Sequence, residues 1–354
     1  MNFYTKEYYE KLMRENNYDP IHFGRIDFEL GNLPKSYIQK RWLCHHDANK
    51  FSQLFNDSPD TSIITTGIGL SGAPHMGTLS QITKAIKLQE AGLNVQFVLG
   101  DLDSYNGKQK DMEYVRKLAE IYNRFIKDLG FDSKKGILRK QYDSVKVLRT
   151  MYILGKYMSD EMFDKSEEDL YRFYKEKGKV DSYMTYRRKL SLALMAADFF
   201  DLVREGYDNI LVMLGVDEHQ YVQFAKETAK NVVHSGELKK YVPKNLAGLY
   251  SSMIKGFNGY PKMSKSFPKS SLNLDMDVTS ISQRILSGDN NERNPSENVI
   301  FQIILSTSNF EDPEMEYIYE ECQNNSSEWI RIKEKYLKEL LYIKSKWEDA
   351  KNVH

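Results

Sequence analysis

Cysteine is scarce in this chain. Cys44 and Cys322 are the two thiols in 354 residues. Two thiols exclude a disulfide framework and any paired CxxC metal site, so no metal site built from the protein's own side chains is expected. A reducing, cytoplasmic location is the simplest reading of that scarcity. Long apolar runs are missing too: none approaches the roughly eighteen residues needed to cross a bilayer, and no membrane partner is expected. Charge of one sign is absent overall, with 50 Lys+Arg against 50 Asp+Glu. No global field therefore draws nucleic acid or a membrane surface, although a local basic patch remains compatible with that balance. The N-terminal stretch MNFYTKEYYEKLMRENN is too polar for a secretory leader. No internal repeat and no low-complexity linker interrupts the chain.

What is present supports a large folded unit. Hydrophobic residues make up 41% of the chain, and the length fits one large domain with an appendage, or two domains. Residues 1–60 mix polar helix-like stretches with aromatics and read as an N-terminal helical or extended segment. TSIITTG (61–67) reads as a buried strand ending at Gly67. LSQITKAIKLQEAG (79–92) has helical spacing and a glycine stop. LNVQFVLGD (93–101) reads as a second strand, with Asp101 at its end, and completes a βαβ unit with parallel neighbours. Residues 109–180 read as a helical insertion. Residues 183–206 form a further helical stretch, YDNILVMLGVDE (207–218) a third strand, and 219–233 the helix after it. A looser region holds NGYPKMSKSFPKSSLNL (258–274), and residues 281–354 read as a short C-terminal helical domain. Strands alternating with helices predict an α/β fold with an open parallel sheet, whose ligands bind beyond the carboxyl ends of the strands.

The unusual residues gather at those ends. SGAPHMGT (71–78) lies between the first strand and the first helix. Such a turn presents backbone N–H groups and a helix dipole to an anion. Gly69, Gly72 and Gly77 would let a ligand approach the backbone, and His75 could donate to a phosphate oxygen. A tight βα turn with glycines kept for geometry alone explains the same stretch. KMSKS (262–266) places Lys262 and Lys265 among small hydroxyl residues on a loop flanked by Gly and Pro. Two ammonium groups there suit charge that develops in a transition state; a solvated basic loop is the plain alternative.

Taken together, the two stretches resemble the class I aminoacyl-tRNA synthetases. HMGT stands at the HIGH signature, and KMSKS is the second signature itself. The likeness is to the tryptophanyl/tyrosyl subgroup and runs from about residue 41 to about 285. LALMAADFFDL (192–202) resembles the subgroup's helix facing the amino acid, and LGVDEHQYVQFAKE (214–227) its G-x-D/E-Q segment. RWLCHHDANKFSQLFND (41–57) is similar to the segment before the first strand of the archaeal and eukaryotic tryptophan enzymes. KAIKLQEAGLNVQFVLGDLDSY (84–105) is closer to the archaeal tyrosine enzymes.

The resemblance implies a Rossmann-like catalytic domain at 61–280, ATP with Mg²⁺, an amino acid, and tRNA as acceptor. It implies an aminoacyl-adenylate formed by attack of the amino-acid carboxylate on the α-phosphate. It assigns catalysis to His75, Thr78, Lys262 and Lys265. ATP would meet Gly67, Gly69, Ser71, Gly72, His75, Gly77 and Thr78 on one side. Gly215, Asp217, Met263, Ser264 and Lys265 would meet it on the other. The amino acid would meet Thr65, Val98, Asp101, Asp103, Ser191, Met195, Asp198 and Glu218. Residues 109–180 would form a two-fold homodimer interface.

Several positions depart from the family pattern. Thr78 stands where the signature has its second histidine; it donates a hydrogen bond but carries no charge. Glu218 replaces the family glutamine, Thr65 a tyrosine near the substrate, and Ser191 the tyrosine of a tyrosine-specific pocket. Val98 and Asp103 stand where eukaryotic-type tryptophan enzymes place glutamine and glutamate. Asp103, Asp198 and Glu218 could converge on an ammonium, or could be spent on local backbone or on Arg187 and Arg188. Residues 281–354 hold nine Lys/Arg against fourteen Asp/Glu, a net charge of −5, which makes a poor general RNA surface. A local face with Lys335, Lys338 and Lys346 could still serve. Alternatives therefore stand beside a tRNA ligase. One is a paralogue activating a basic or non-protein amino acid for another acceptor; another is a non-catalytic module. A third is a different nucleotidyltransferase of similar fold.

Overall fold

The computed structural model describes residues 3–21, 26–167, 171–178, 181 and 183–353. The residues of the expected insertion at 168–170 and 179–180 lie outside that set. The chain begins with α1 (Lys6–Asn16), β1 (Asp19–Pro20), α2 (Lys35–Arg41), β2 (Cys44–His46) and α3 (Ala48–Asp57). The core unit follows as β3 (Ser62–Gly69), α4 (Met76–Glu90), β4 (Val95–Gly100), α5 (Asp101–Gly107), α6 (Met112–Asp128) and β5 (Ile137–Lys140). Next come α7 (Val145–Leu154), α8 (Asp160–Asp164), α9 (Tyr171–Glu176), α10 (Tyr186–Arg204), β6 (Asn209–Gly215), α11 (His219–Ser235) and β7 (Asn245–Ser251). The C-terminal part is α12 (Val278–Ser287), α13 (Val299–Thr307), α14 (Asp312–Asn324) and α15 (Ser327–Asn352).

Seven strands form one sheet in the order β1-β2-β7-β6-β3-β4-β5. The five from β7 to β5 are mutually parallel, and β1 and β2 add an antiparallel edge. The α/β class and the βαβ unit expected from the sequence are therefore present. β3, β4 and β6 read as near-continuous apolar, β-branched runs because helices cover both faces of the sheet. On one face α4, α6 and the C-terminal helices share a core with Leu79, Phe97, Phe125, Ile304 and Trp347. On the other, α10 and α11 pack Phe200 and Phe224 against Val212 and Tyr250.

Four expectations are corrected in detail. The helix expected from residue 79 begins at Met76, because His75 caps it. Gly77 is a poor helix former and histidine is not among the preferred caps, so the pattern concealed the first turn. Asp101 does not end a strand but opens α5. The insertion at 109–180 is not purely helical: β5 lies within it and pairs with β4. The region after residue 235 contains β7, whose NLAGLYS has too much Gly and Ala to announce a strand. In the C-terminal part, Ile281, Ile285 and Ile300 belong to the same buried cluster as Val95, Phe97 and Leu99 of β4.

Candidate active site

Beyond the carboxyl ends of the parallel strands lies a cavity of about 600 Å³. One wall is the turn from β3 into α4. There His75 Nδ1 accepts the backbone N–H of Thr78 at 3.2 Å, which caps the helix and leaves Nε2 to carry the proton of a neutral ring. The ring stays neutral because burial, then Lys265 and Lys262, push its pKa down to about 3. It can therefore donate one hydrogen bond into the cavity without bringing charge. Gly77 gives the ring its space: a Cβ there would sit 2.9 Å from His75 Cε1. The turn is held by the segment after the KMSKS loop, with Met76 N–H donating to Leu272 O at 3.2 Å and Leu274 N–H to Pro74 O at 3.0 Å.

The opposite wall is the loop between β7 and α12. Lys265 Nζ donates to Gly72 O at 3.2 Å, to Gly69 O at 3.4 Å and to Tyr122 Oη at 3.4 Å. Gly72 has a φ of +154°, and its carbonyl also accepts from the Tyr122 hydroxyl at 2.9 Å. These partners are neutral, so burial pushes the Lys265 ammonium down to about 7. Lys262 forms an ion pair with Asp217, which stands just after β6. Ser264 is fixed by Ser270, whose hydroxyl takes its N–H at 3.0 Å, and Met263 is buried beneath the loop.

The fold thus brings most of the sequence-predicted residues to one cavity. Gly67, Gly69, Ser71, His75, Gly77 and Thr78 line it from the first turn. Gly215, Asp217, Lys262, Met263, Ser264 and Lys265 line it from the other side. Val98, Asp103, Ser191, Met195, Asp198 and Glu218 line it as well. Three residues are placed differently. Gly72 meets the site through its carbonyl and not as lining. Thr65 is fully buried and accepts a hydrogen bond from Gln96 Nε2 at 2.9 Å, outside the lining. Asp101 is turned away, its Oδ1 accepting the N–H of Leu102 at 2.9 Å and of Tyr142 at 3.0 Å. Arg187 pairs with Asp181, and Arg188 with Glu167.

Sequence reasoning missed three contributors. Gln141 follows β5 and bridges the acids: its Oε1 accepts Asp103 N–H at 3.0 Å and its Nε2 donates to Asp198 Oδ2 at 2.8 Å. No pattern could find it while β5 was unrecognised. Tyr122 on α6 supports Gly72 and Lys265. Lys84 on α4 reaches the cavity and donates to Ser251 Oγ at 2.7 Å; burial pushes it down to about 7. It reads as one more helical lysine until β7 is placed beside it.

A family model described as tRNA synthetases class I (W and Y) matches residues 59–353. The chain belongs to that family. It is an aminoacyl-tRNA synthetase-like ligase with the Rossmann-like fold of the class I enzymes. The tryptophan–tRNA ligase of Methanocaldococcus jannaschii is 22% identical over 368 residues, covering 98% of this chain and 93% of that protein. The tyrosine–tRNA ligase of Methanosarcina barkeri is 26% identical over 163 residues, 46% of this chain and 48% of that one. Among solved structures, the tryptophanyl-tRNA synthetase of Aeropyrum pernix K1 superposes with a TM-score of 0.78 at 19% identity, covering 98% of this chain and 95% of that one. The tyrosyl-tRNA synthetase of Archaeoglobus fulgidus does so with a TM-score of 0.66 at 16% identity, covering 86% and 93%. Both superpositions show the fold of this synthetase-like chain.

Proposed function

We propose that this chain activates an amino acid with ATP and transfers it to tRNA. The observation that carries the reading is the convergence of the His75 turn and both KMSKS lysines on one cavity, with Lys265 Nζ 3.2 Å from Gly72 O. In this reading the triphosphate lies between them. The amino-acid carboxylate oxygen forms a bond to the α-phosphorus, the bond to the β-phosphate bridging oxygen breaks, and pyrophosphate leaves. Lys262 exchanges Asp217 for phosphate oxygen, and Lys265 exchanges neutral carbonyls for it, so cationic contacts strengthen as charge moves onto the leaving group. His75 and the Thr78 hydroxyl donate hydrogen bonds. Asp217, once released, can accept from the ribose hydroxyls. Held geometry and charge stabilisation suffice, with no covalent enzyme intermediate. Mg²⁺ fits as a companion of the nucleotide, taking most ligands from phosphate and water.

Exchange of labelled pyrophosphate into ATP tests this reading. It is expected to depend on one amino acid in a screen that includes basic and non-protein ones. Exchange absent with all of them would refute it.

A second reading keeps the activation step and changes the acceptor. The C-terminal part favours it: Lys335 pairs with Glu314, Lys333 with Asp289, and Lys346 donates to Asp128 O, so cations on the last helix are already engaged. Charging of total tRNA separates the two readings. The homodimer belongs to the proposal as well. Tyr152 at 86% and Val145 at 65% exposure, both on α7, present an apolar face of the kind a second copy would cover. Light scattering is expected to give twice the 41.4 kDa chain mass, and a single-chain mass would contradict it.

A further inference from the structure

The KMSKS loop does not stand alone: the short helix α9 packs against it. Tyr171 and Tyr174 stand three apart on α9, so they share one face, and both line the cavity. The Tyr174 hydroxyl donates to Ser264 Oγ at 3.2 Å. That same oxygen accepts the backbone N–H of Ser266 at 3.2 Å, so the tethered atom closes the turn around Lys265. The Tyr174 ring stacks on Phe267, with ring centres 5.7 Å apart and planes inclined by 20°. Lys262 Nζ lies 5.5 Å from the centre of the same ring. One tyrosine thus meets the loop at positions 262, 264 and 267, on both sides of Lys265. Phe173 adds a second ring against Phe267 at 5.6 Å, and Tyr260 a third at 5.2 Å.

α9 is tied to α10 as well. The Tyr171 hydroxyl donates to Asp181 O at 3.0 Å, and Asp181 pairs with Arg187. The Arg188 guanidinium lies 5.4 Å from the Tyr171 ring centre and pairs with Glu167. Arg187 and Arg188 belong to the first turn of α10, the helix that carries Ser191, Met195 and Asp198. α9 therefore links that helix to the lysine loop. Six residues make too short a helix to stand alone in water, so these contacts fix its place. Residues 260–267 form no helix or strand of their own, so side-chain contacts decide where the loop's lysines stand.

We propose that α9 is a clasp on the KMSKS loop and that Tyr174 is its positioning residue, holding Lys262 and Lys265 at the cavity through Ser264 and Phe267. The kinetic consequence rests on the activation reading; the hold itself does not. A tyrosine suits the task because its flat ring supplies contact area while its hydroxyl supplies direction. The stack alone would let the loop slide, and the hydroxyl on Ser264 sets its register.

Hydrogen exchange of the full chain, followed by mass spectrometry of peptides that cover 262–270, reads the hold directly. Its reporters are the N–H of Ser266 and that of Phe267, which donates to Ser264 O at 3.0 Å. Tyr174→Ala is expected to speed exchange there by about 30-fold, through loss of one hydrogen bond and one ring pair. Tyr174→Phe keeps the ring and is expected to speed it by about fivefold. Exchange in β3 and β4 is expected to stay within about twofold, because the opening is local. Under the activation reading, kcat for pyrophosphate exchange falls in the same order and by up to the same factors, while KM for ATP moves less. Loop protection within about twofold of the unaltered chain in both variants overturns the inference. So does an equal loss of protection in β3 and β4, which marks general destabilisation. A loosened loop with kcat unchanged in both variants overturns the positioning role. A loop that behaves as expected in a chain with no pyrophosphate exchange for any amino acid overturns the activation reading and leaves the clasp standing. Tyr174→Phe decides if the alanine variant does not fold.

Discussion

Lys265→Ala is expected to lower kcat for pyrophosphate exchange by about 10²–10³-fold, the loss typical of one preorganised donor aimed at developing charge. The geometry explains why this lysine and not a neighbour. Its ammonium contacts two carbonyls and one phenol, all neutral, so burial leaves its charge poorly compensated and its pKa falls to about 7. A triphosphate replaces those contacts with anionic oxygens and restores the charged form. The gain is largest when charge collects on the departing pyrophosphate, so the loss should fall more on kcat than on KM for ATP. The sign with pH follows: above pH 7 the empty enzyme carries a neutral Lys265, and ATP must bring a proton with it, so nucleotide affinity should weaken as pH rises through that range. Exchange rates for the variant within about twofold of the unaltered chain would remove Lys265 from the chemistry.

Trp347→Ala is expected to cost about 3–5 kcal/mol of stability, the range for deleting a buried large aromatic. Trp347 is 1% exposed on α15, with its ring centre 5.0 Å from Tyr122 and 5.2 Å from Phe125. Its indole N–H donates to Asp275 at 2.8 Å. The substitution therefore opens a cavity between the C-terminal helix and α6 and leaves an acceptor to water. Tyr122 then loses its backing. Because its hydroxyl holds Gly72 and touches Lys265, exchange activity should fall even where the variant is fully folded. Urea unfolding checks the first effect; a loss below about 1 kcal/mol would show that α15 is not part of the core.

The parts of this site legible in the sequence share a physical property: each is a local pattern. The β3–α4 turn, the runs of β4 and β6, and KMSKS each announce themselves within a few residues. What escaped depends on pairing at long range. Thr65 and Thr66 are adjacent in sequence, yet strand alternation sends them to opposite faces. Thr66 lines the cavity and donates to Met213 O at 2.7 Å, while Thr65 meets Gln96. Asp101 looked like a strand-end ligand but is consumed by the N–H groups of Leu102 and Tyr142, an arrangement that needs β5 beside β4. Gln141 and Lys84 became visible only once β5 and β7 were in the sheet. The ion pair of Lys262 with Asp217 spans 45 positions and has no local signature.

A crystal structure of the chain with ATP tests the central claim most directly. The triphosphate is expected between the His75 turn and the KMSKS loop, with Lys262 drawn off Asp217 and Lys265 off the carbonyls of Gly69 and Gly72. A triphosphate bound elsewhere, or this cleft empty at saturating nucleotide with both lysines on their present partners, would contradict it.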